Sequence, residues 1–245
     1  MDKLKFGSLF SGIGGMDLGL EQAGLRCVFQ VEQDEDCLTA LRYHWPDVPK
    51  FEDIRTFIGN EPIERPDVLA GGFPCQDLSV AGFNKGLSGE RSKLWYEFFR
   101  LICVFRPRYV VIENVSALIN RGLRTVLCNL AEIGYDAEWQ VIKASDFALP
   151  HSRERLFVIA YPNSLIRSQC ARLGIEQDRE TEVFKRSRGK RSQVRVSTFD
   201  HLIGMDDGLS RKIYQQTVCG IGNAVAVPVA KWIGSLITSH NLEMA

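Results

Sequence analysis

Apolar and polar positions alternate along the chain with two periods. The segment 5–10, KFGSLF, predicts a short buried strand, and the segment after its glycine turn predicts a helix with apolar Met16, Leu18 and Leu20, closed by Gly24. A second strand is predicted at 26–33, RCVFQVEQ. A strand, a helix and a second strand in this order are typical of a parallel βαβ unit.

The same alternation continues downstream. Further helices are predicted at 34–47, 93–107 and 117–134, and further strands at 66–72 and 108–115, with a weaker short strand at 51–54. The segments 137–145 and 153–161 predict two strands of an antiparallel hairpin, and 220–240 predicts a terminal helix with Pro228 near its start. The pattern therefore predicts an α/β fold around a mixed, mostly parallel sheet.

Two stretches interrupt this pattern. Residues 76–93 are polar and glycine-bearing, and a connection of that length in a compact α/β domain is usually functional or disordered. Residues 163–212 are polar. The stretch from Tyr161 to Arg195 contains nine Lys or Arg and four Asp or Glu, although the whole chain has a formal net charge of zero. This basic insertion is predicted to face DNA or to be partly disordered.

The composition indicates the cellular compartment of the protein and argues against a bound metal. The seven cysteines are scattered with no C-x-x-C pair, which argues against a zinc site and favours buried thiols in a reducing compartment. No apolar run is long enough to cross a membrane, and the amino terminus lacks the apolar core of a secretory signal. We expect a soluble, cytosolic protein with no metal.

The glycine turn after the first strand predicts a nucleotide site. Gly12 and Gly14 leave room for a ligand to approach the backbone, and Glu32, twenty residues beyond Gly12, ends the second strand where a ribose diol is held in such units. A glycine turn beside a solvated acid is the alternative, and the position of Glu32 favours the site. Because Gly15 follows at once, the spacing departs from the dinucleotide fingerprint, which favours S-adenosylmethionine over a nicotinamide cofactor.

Candidate catalytic groups follow later strands. Cys75 comes directly after the apolar run that ends in GGFP, at the edge where open α/β sheets bind ligands, although most cysteines are inert. Glu113 ends the next strand and is a candidate general acid if it shares that edge, or a solvated group if not. Arg153 and Arg155 are two residues apart at the start of a strand, so both side chains lie on one face of the sheet. They are candidates to bind a carbonyl or phosphate oxygen, and an exposed basic strand is the alternative.

These blocks, in this order, resemble the DNA (cytosine-5) methyltransferases. The resemblance rests on LFSGIGG, GGFPCQ, IENV, HSRER and GNAVAVPVA and leaves only about 163–212 uncovered. It implies a Rossmann-like S-adenosylmethionine-dependent methyltransferase fold, with a catalytic domain formed by 1–162 and 213–245 and a reduced target-recognition segment at 163–212. It also implies double-stranded DNA as the partner, as in a restriction–modification system.

The resemblance assigns roles by motif position. Cys75 would attack C6 of a flipped cytosine, Glu113 would act at N3, Arg153 and Arg155 would hold the base and the closed 76–93 loop, and Asn114 would support the catalytic strand. The terminal helix would pack beside the first strand. The residues implied to bind the cofactor are Phe10, Gly12, Gly14, Glu32, Asp53, Ile54, Pro74, Leu94, Asn223 and Val225.

Two departures from the family pattern are visible. His151 stands where the family usually has Gln, so no role is transferred to it. The recognition segment of about fifty residues is small for the family, so target specificity is expected to be short, loose or assisted by a partner. Methylation of cytosine in RNA, with tRNA as the substrate, and a catalytically inactive DNA-binding relative remain the alternatives to DNA methylation.

Overall fold

The computed structural model describes residues 2–74, 94–149, 153–163 and 225–244. Cys75, His151, Asn223, the 76–93 loop and nearly all of the 163–212 segment lie outside these ranges, so the sequence predictions for them stay predictions. The described residues form one seven-stranded sheet. Its strands are β1 Lys5–Leu9, β2 Arg26–Val31, β3 Lys50–Phe51, β4 Val68–Gly71, β5 Tyr109–Asn114, β6 Tyr135–Lys143 and β7 Glu154–Pro162.

The strands lie in the order β3-β2-β1-β4-β5-β7-β6. The first five are parallel, whereas β7 runs antiparallel to both β5 and β6. Strand order reverses between β1 and β4, and open α/β sheets bind ligands at such a switch point, outside the carboxyl ends of the strands. The predicted α/β class, the mostly parallel sheet and the antiparallel pair are confirmed.

Six helices accompany the sheet in the described residues: α1 Gly15–Gln22, α2 Glu35–His44, α3 Leu94–Phe105, α4 Leu118–Arg121, α5 Leu123–Glu132 and α6 Val227–Met244. A short 3-10 helix, Ala144–Phe147, lies between β6 and β7. Two sequence predictions need correction. The single helix at 117–134 is divided at Gly122, whose extended φ of −175° interrupts the helical backbone. The weak strand at 51–54 is instead the two-residue β3, followed by a turn.

The sheet separates two apolar layers because its side chains alternate between faces. On one face Leu69, Val110 and Ile112 join the buried sides of α3 and α5. On the other, Ala70 and Val111 join a cluster that contains residues of α1 and α6. The parallel strands are therefore covered on both sides, and their polar atoms are concentrated at the ends.

Helix α6 packs against α1. A β-carbon on Gly19 of α1 would lie 2.4 Å from the β-carbon of Ala230, and one on Gly234 would lie 2.6 Å from that of Ala23. Glycine at these two positions lets the helix backbones approach closely. Val229 and Ile233 belong to the same buried cluster as Phe6 of β1, so α6 lies on the α1 side of the sheet.

Candidate active site

The segments predicted to carry the chemistry meet at the carboxyl edge of the parallel strands. Gly71, the last residue of β4, is paired with Leu9 on one side and with Ile112 on the other. The residues that follow β1, β4 and β5 are therefore neighbours, although they come from distant parts of the sequence.

Glu113 is the buried acid of this edge. It is only 8% exposed, and Nε of Arg155 on β7 lies 3.1 Å from its Oε1. Burial raises the pKa of Glu113, whereas the positive charges of Arg155 and Arg153 lower it, and burial is the larger effect. Oε1, the oxygen in this ion pair, is buried and has no further hydrogen-bond partner within the described residues.

Gly72 borders the same carboxylate. A β-carbon added to Gly72 would lie 2.7 Å from Oε2 of Glu113, closer than non-bonded atoms approach. Residue 72 therefore has to be glycine for Glu113 to keep its present rotamer. The doubled glycine after the strand was the available sequence signal, and sequence reasoning gave it no role.

The chain that leads to Cys75 is held from two sides. Nδ2 of Asn114 donates to the carbonyl oxygen of Phe73 at 3.1 Å, and the ring of Phe73 packs on Trp95 of α3 with centroids 5.6 Å apart. Asn114 and Trp95 thus hold the backbone and side chain of Phe73, two residues before Cys75. Asn114, the last residue of β5, contacts the segment that follows β4.

Arg153 and Arg155 line one cleft at the start of β7. Its other walls are apolar residues from β6, β7 and the start of α6, among them Ile142, Phe157 and Val225. Desolvation lowers the pKa of Arg153, and the charge of Arg155 lowers it further. Val225, implied by the resemblance to bind the cofactor, lies on this cleft.

The glycine turn closes on Glu32. Oε2 of Glu32 accepts a 2.7 Å hydrogen bond from the backbone N–H of Gly12, and its Oε1 accepts from the N–H groups of Gln33 and Asp34. Phe10 and Gly12 both adopt positive φ, 54° and 56°, and no atom lies within 4 Å of a β-carbon added to Gly12. The strained turn therefore leaves an open space directly above its backbone, next to a fixed carboxylate.

A buried polar network underlies this turn. Asp17 of α1 accepts hydrogen bonds from Oγ of Ser8 at 2.6 Å and from Nε2 of Gln30 at 2.7 Å, and Ser11 donates to Oγ of Ser8 at 2.9 Å. Burial raises the pKa of Asp17 to about 6. The predicted helix was recognised by apolar Met16, Leu18 and Leu20. Leu18 is only partly buried, whereas Asp17 is fully buried.

The remaining cofactor candidates follow β3 or begin α3. Asp53 is paired with the guanidinium of Arg55, which holds the pKa of that carboxyl below its usual range. Ile54 is buried, and Leu94 is the first residue of α3 and packs on the same apolar layer. These residues lie beyond the carboxyl ends of β3 and β4, on the α3 side of the sheet.

Two negative findings apply to the described residues. No group of three or more His, Cys, Asp or Glu side chains there could hold a metal ion. No helix in those ranges is long and apolar enough to cross a membrane.

Residues 4–205 match the family model described as C-5 cytosine-specific DNA methylase. The chain belongs to this family. Among curated members, Type II methyltransferase M.DsaV of Dactylococcopsis salina is 36% identical over 163 residues, which are 65% of this chain and 46% of M.DsaV. The chain thus spans about half the length of this curated relative.

Solved structures agree with the methylase fold. A proposed DNA modification methyltransferase encoded within an E. coli prophage is 29% identical, with a TM-score of 0.55, and the match covers 67% of this chain and 48% of that one. The S. pombe Dnmt2 methyltransferase is 19% identical, with a TM-score of 0.54, over 72% of this chain and 57% of that one. The second likeness shows a shared fold alone.

Proposed function

We propose that this chain carries the catalytic machinery of a DNA (cytosine-5) methyltransferase that uses S-adenosylmethionine. The observation that carries the proposal is the buried carboxyl of Glu113. It lies beside Gly72, three residues before Cys75, it is paired with Arg155, and its buried Oε1 has no further hydrogen-bond partner within the described residues. A raised pKa suits a carboxyl group that must donate a hydrogen bond or a proton to a base.

Cys75 is proposed as the nucleophile. Its thiolate would attack C6 of cytosine and form a C6–S bond. The carboxyl of Glu113 would protonate or hydrogen-bond N3, and the electron pair of the C5–C6 bond would then make C5 nucleophilic. After methylation, loss of the C5 proton to a base would return that electron pair and expel Cys75 by breaking the C6–S bond. C6 is inaccessible inside a duplex, so the cytosine must leave the base stack, at a cost of a few kcal/mol.

Arg155 and Arg153 are proposed to hold the base. Both line the cleft next to Glu113, where a guanidinium can donate to a carbonyl oxygen such as O2 of cytosine. Arg155 would have a second role, because its ion pair keeps the carboxyl of Glu113 oriented.

The residues of the glycine turn fit S-adenosylmethionine. Open space above Gly12 leaves room for a ligand close to the backbone, and Glu32, fixed by three backbone N–H groups, can accept hydrogen bonds from a ribose diol. When bound, S-adenosylmethionine would supply an electrophilic methyl group to C5. Asp53 and Ile54 are proposed to contact the adenine of the cofactor. Phe10, Gly14, Pro74, Leu94, Asn223 and Val225 are the other proposed pocket residues.

Double-stranded DNA is the proposed partner. The basic composition of 163–212 suits contacts to phosphate and supports its assignment as a reduced recognition segment, with 1–162 and 213–245 as the catalytic domain. The activity and substrate remain a proposal for the whole protein because the chain spans about half of M.DsaV.

The test measures transfer of labelled methyl groups to unmethylated duplex DNA and, in parallel, to tRNA. We expect label on the duplex and none after Cys75→Ser. Label on tRNA alone would overturn the DNA assignment and favour an RNA methyltransferase. DNA binding without transfer to either nucleic acid would identify an inactive relative.

A mechanism-based trap tests the covalent step. A duplex with 5-fluorocytosine in its target should form a denaturation-resistant adduct at Cys75, because fluorine at C5 cannot leave as a proton. Cys128, an exposed cysteine of α5, provides the matched control: Cys128→Ser should keep both activity and the adduct. Full activity of Cys75→Ser would contradict the covalent mechanism.

A further inference from the structure

The turn that follows β3 is built from a small set of backbone contacts. The carbonyl oxygen of Asp53 accepts from the backbone N–H of Thr56 at 3.1 Å, from that of Phe57 at 3.0 Å and from Oγ1 of Thr56 at 3.1 Å. These bonds close the turn on itself. They do not fix its position relative to the rest of the domain.

An aromatic cluster anchors the far end of this turn. The ring of Phe57 lies 4.5 Å from that of Phe51, 5.1 Å from that of Phe29 and 6.1 Å from that of Phe105, measured between centroids. Apolar contacts of this kind are non-directional and leave freedom for the backbone to shift.

Arg100 supplies a directional constraint. This residue of α3 donates through Nη2 to the carbonyl oxygen of Ile54 at 2.9 Å and to that of Phe57 at 2.8 Å. Its Nε donates to Oε2 of Glu97, one helical turn earlier, at 2.8 Å. Glu97 therefore orients the guanidinium, and the guanidinium holds two carbonyl groups of the turn at fixed positions relative to α3.

The position of α3 makes this constraint important. The same helix carries Leu94, a proposed pocket residue, and Trp95, which packs under Phe73 just before Pro74. A turn fixed to α3 is consequently fixed relative to the backbone that leads to Cys75.

We propose that Arg100, oriented by Glu97, is a positioning residue that holds the 53–57 turn in the conformation that binds the adenine of S-adenosylmethionine. The inference rests on the proposed function, in which Asp53 and Ile54 contact the adenine. Arg100 acts through the turn and does not touch the reacting atoms. Its loss raises the cofactor Kd, because binding then has to order the turn as well as contact it.

The test is the Kd of S-adenosylhomocysteine, measured by isothermal titration calorimetry on the full chain. Arg100→Met should weaken binding roughly tenfold, the scale expected for losing charged hydrogen bonds. Arg100→Lys should recover part of the loss, because one ammonium can reach a carbonyl but lacks the guanidinium fork. Glu97→Gln should show an intermediate loss, because the guanidinium keeps its carbonyl partners but loses its orienting charge.

A second readout separates positioning from general stability. In methyl transfer, Arg100→Met should raise KM for S-adenosylmethionine while kcat at saturating cofactor stays within about twofold. The matched control is Arg26→Met, which removes the exposed bidentate pair of an arginine with Glu64, at the start of β2 and the opposite end of the sheet. Arg26→Met should lower resistance to urea and leave the Kd unchanged.

The outcomes distinguish the two proposals. An unchanged Kd in Arg100→Met, or an equal rise in Arg26→Met, would overturn the role of Arg100 alone. Cofactor binding by the natural chain without methyl transfer would overturn the proposed function and leave the Arg100 effect on binding measurable. No binding of S-adenosylhomocysteine by the natural chain would overturn both.

Discussion

Gly72 lies so close to Glu113 that a β-carbon at residue 72 would come within 2.7 Å of Oε2 of the glutamate. Glu113 is itself buried and ion-paired with Arg155, so its carboxylate has little room to move aside. The shape of the candidate active site thus depends on a residue that has no side chain and performs no chemistry.

Substitution of Gly72 should act through Glu113. We expect Gly72→Ala to lower methyl transfer at least tenfold and to destabilise the fold by about 1–2 kcal/mol, the usual scale for overpacking. In a Glu113→Asp background the shorter side chain removes the contact, so Gly72→Ala should add little to the loss of stability. Urea unfolding of the four proteins in this double-mutant cycle gives the coupling. Equal costs of Gly72→Ala in both backgrounds would contradict the contact.

The pKa of Glu113 should depend on Arg155. The guanidinium lowers this pKa against the larger effect of burial, so Arg155→Gln should raise it further and keep the carboxyl protonated to higher pH. Infrared difference spectra can follow the protonated carboxyl band through a pH titration, with Glu113→Gln assigning the band. Arg26→Gln, at the far end of the sheet, should leave the band's midpoint unchanged. A midpoint that falls in Arg155→Gln would refute the charge argument.

Asp17 should make stability depend on pH. Burial raises its pKa to about 6 from a usual 3.8, so its contribution is fully present below the unfolded pKa and is lost as pH rises through about 6. Asp17→Asn avoids the cost of a buried charge, and rotation of the Gln30 amide would let its Oε1, which has no hydrogen-bond partner within the described residues, accept from the new amide.

The measurement for Asp17 compares free energies of unfolding in urea at pH 4 to 8. The value for Asp17→Asn minus that for the natural chain should rise across this window by about 1–3 kcal/mol and level off above pH 7. Asp36→Asn, which alters an exposed carboxyl of α2, is the control and should give a flat difference. A difference that falls as pH rises would contradict the raised pKa of Asp17.

Gly12 and Gly14 should fail in different ways. Both have positive φ, but a β-carbon on Gly12 meets no atom within 4 Å, whereas one on Gly14 would lie 2.4 Å from the ring of Trp45. Gly12→Ala should cost about 1 kcal/mol of stability and weaken cofactor binding strongly, because the methyl group fills the proposed pocket. Gly14→Ala should cost several times more stability. Thermal unfolding and calorimetric titration with S-adenosylhomocysteine separate the two effects, and equal stability losses would contradict the distinction.

Much of the fold was accessible from the sequence because hydrophobic periodicity is local. The structure has a strand within each of the predicted strand segments KFGSLF, RCVFQVEQ and RYVVIENV. Helix α3 lies within the predicted helix at 93–107. The break inside the predicted helix at 117–134 was not predictable in the same way. Gly122 interrupts a continuous amphipathic pattern through its backbone angle alone, which the periodicity of its neighbours does not reveal.

The candidate site could be predicted only in part from the sequence. Sequence motifs identified Glu113 and Arg155, but not that Gly72 borders the carboxylate, that Arg100 holds the turn after β3, or that Asp17 is fully buried. Arg100 is 46 residues from Ile54 and 43 from Phe57. Contacts over such separations depend on how strands and helices pack, and no local pattern of residue types encodes them.

The sequence by itself determined most of the strands and helices and placed the candidate site residues near strand ends, since both depend on side-chain alternation within a few residues. Only the tertiary structure decided that β4 and β5 lie side by side with β7 antiparallel to β5. That arrangement removes Glu113 from water, brings Arg155 to 3.1 Å from it and leaves no room for a side chain at residue 72. The chemistry of Glu113 is set by burial and by neighbours distant in sequence, and both exist only once the chain has folded.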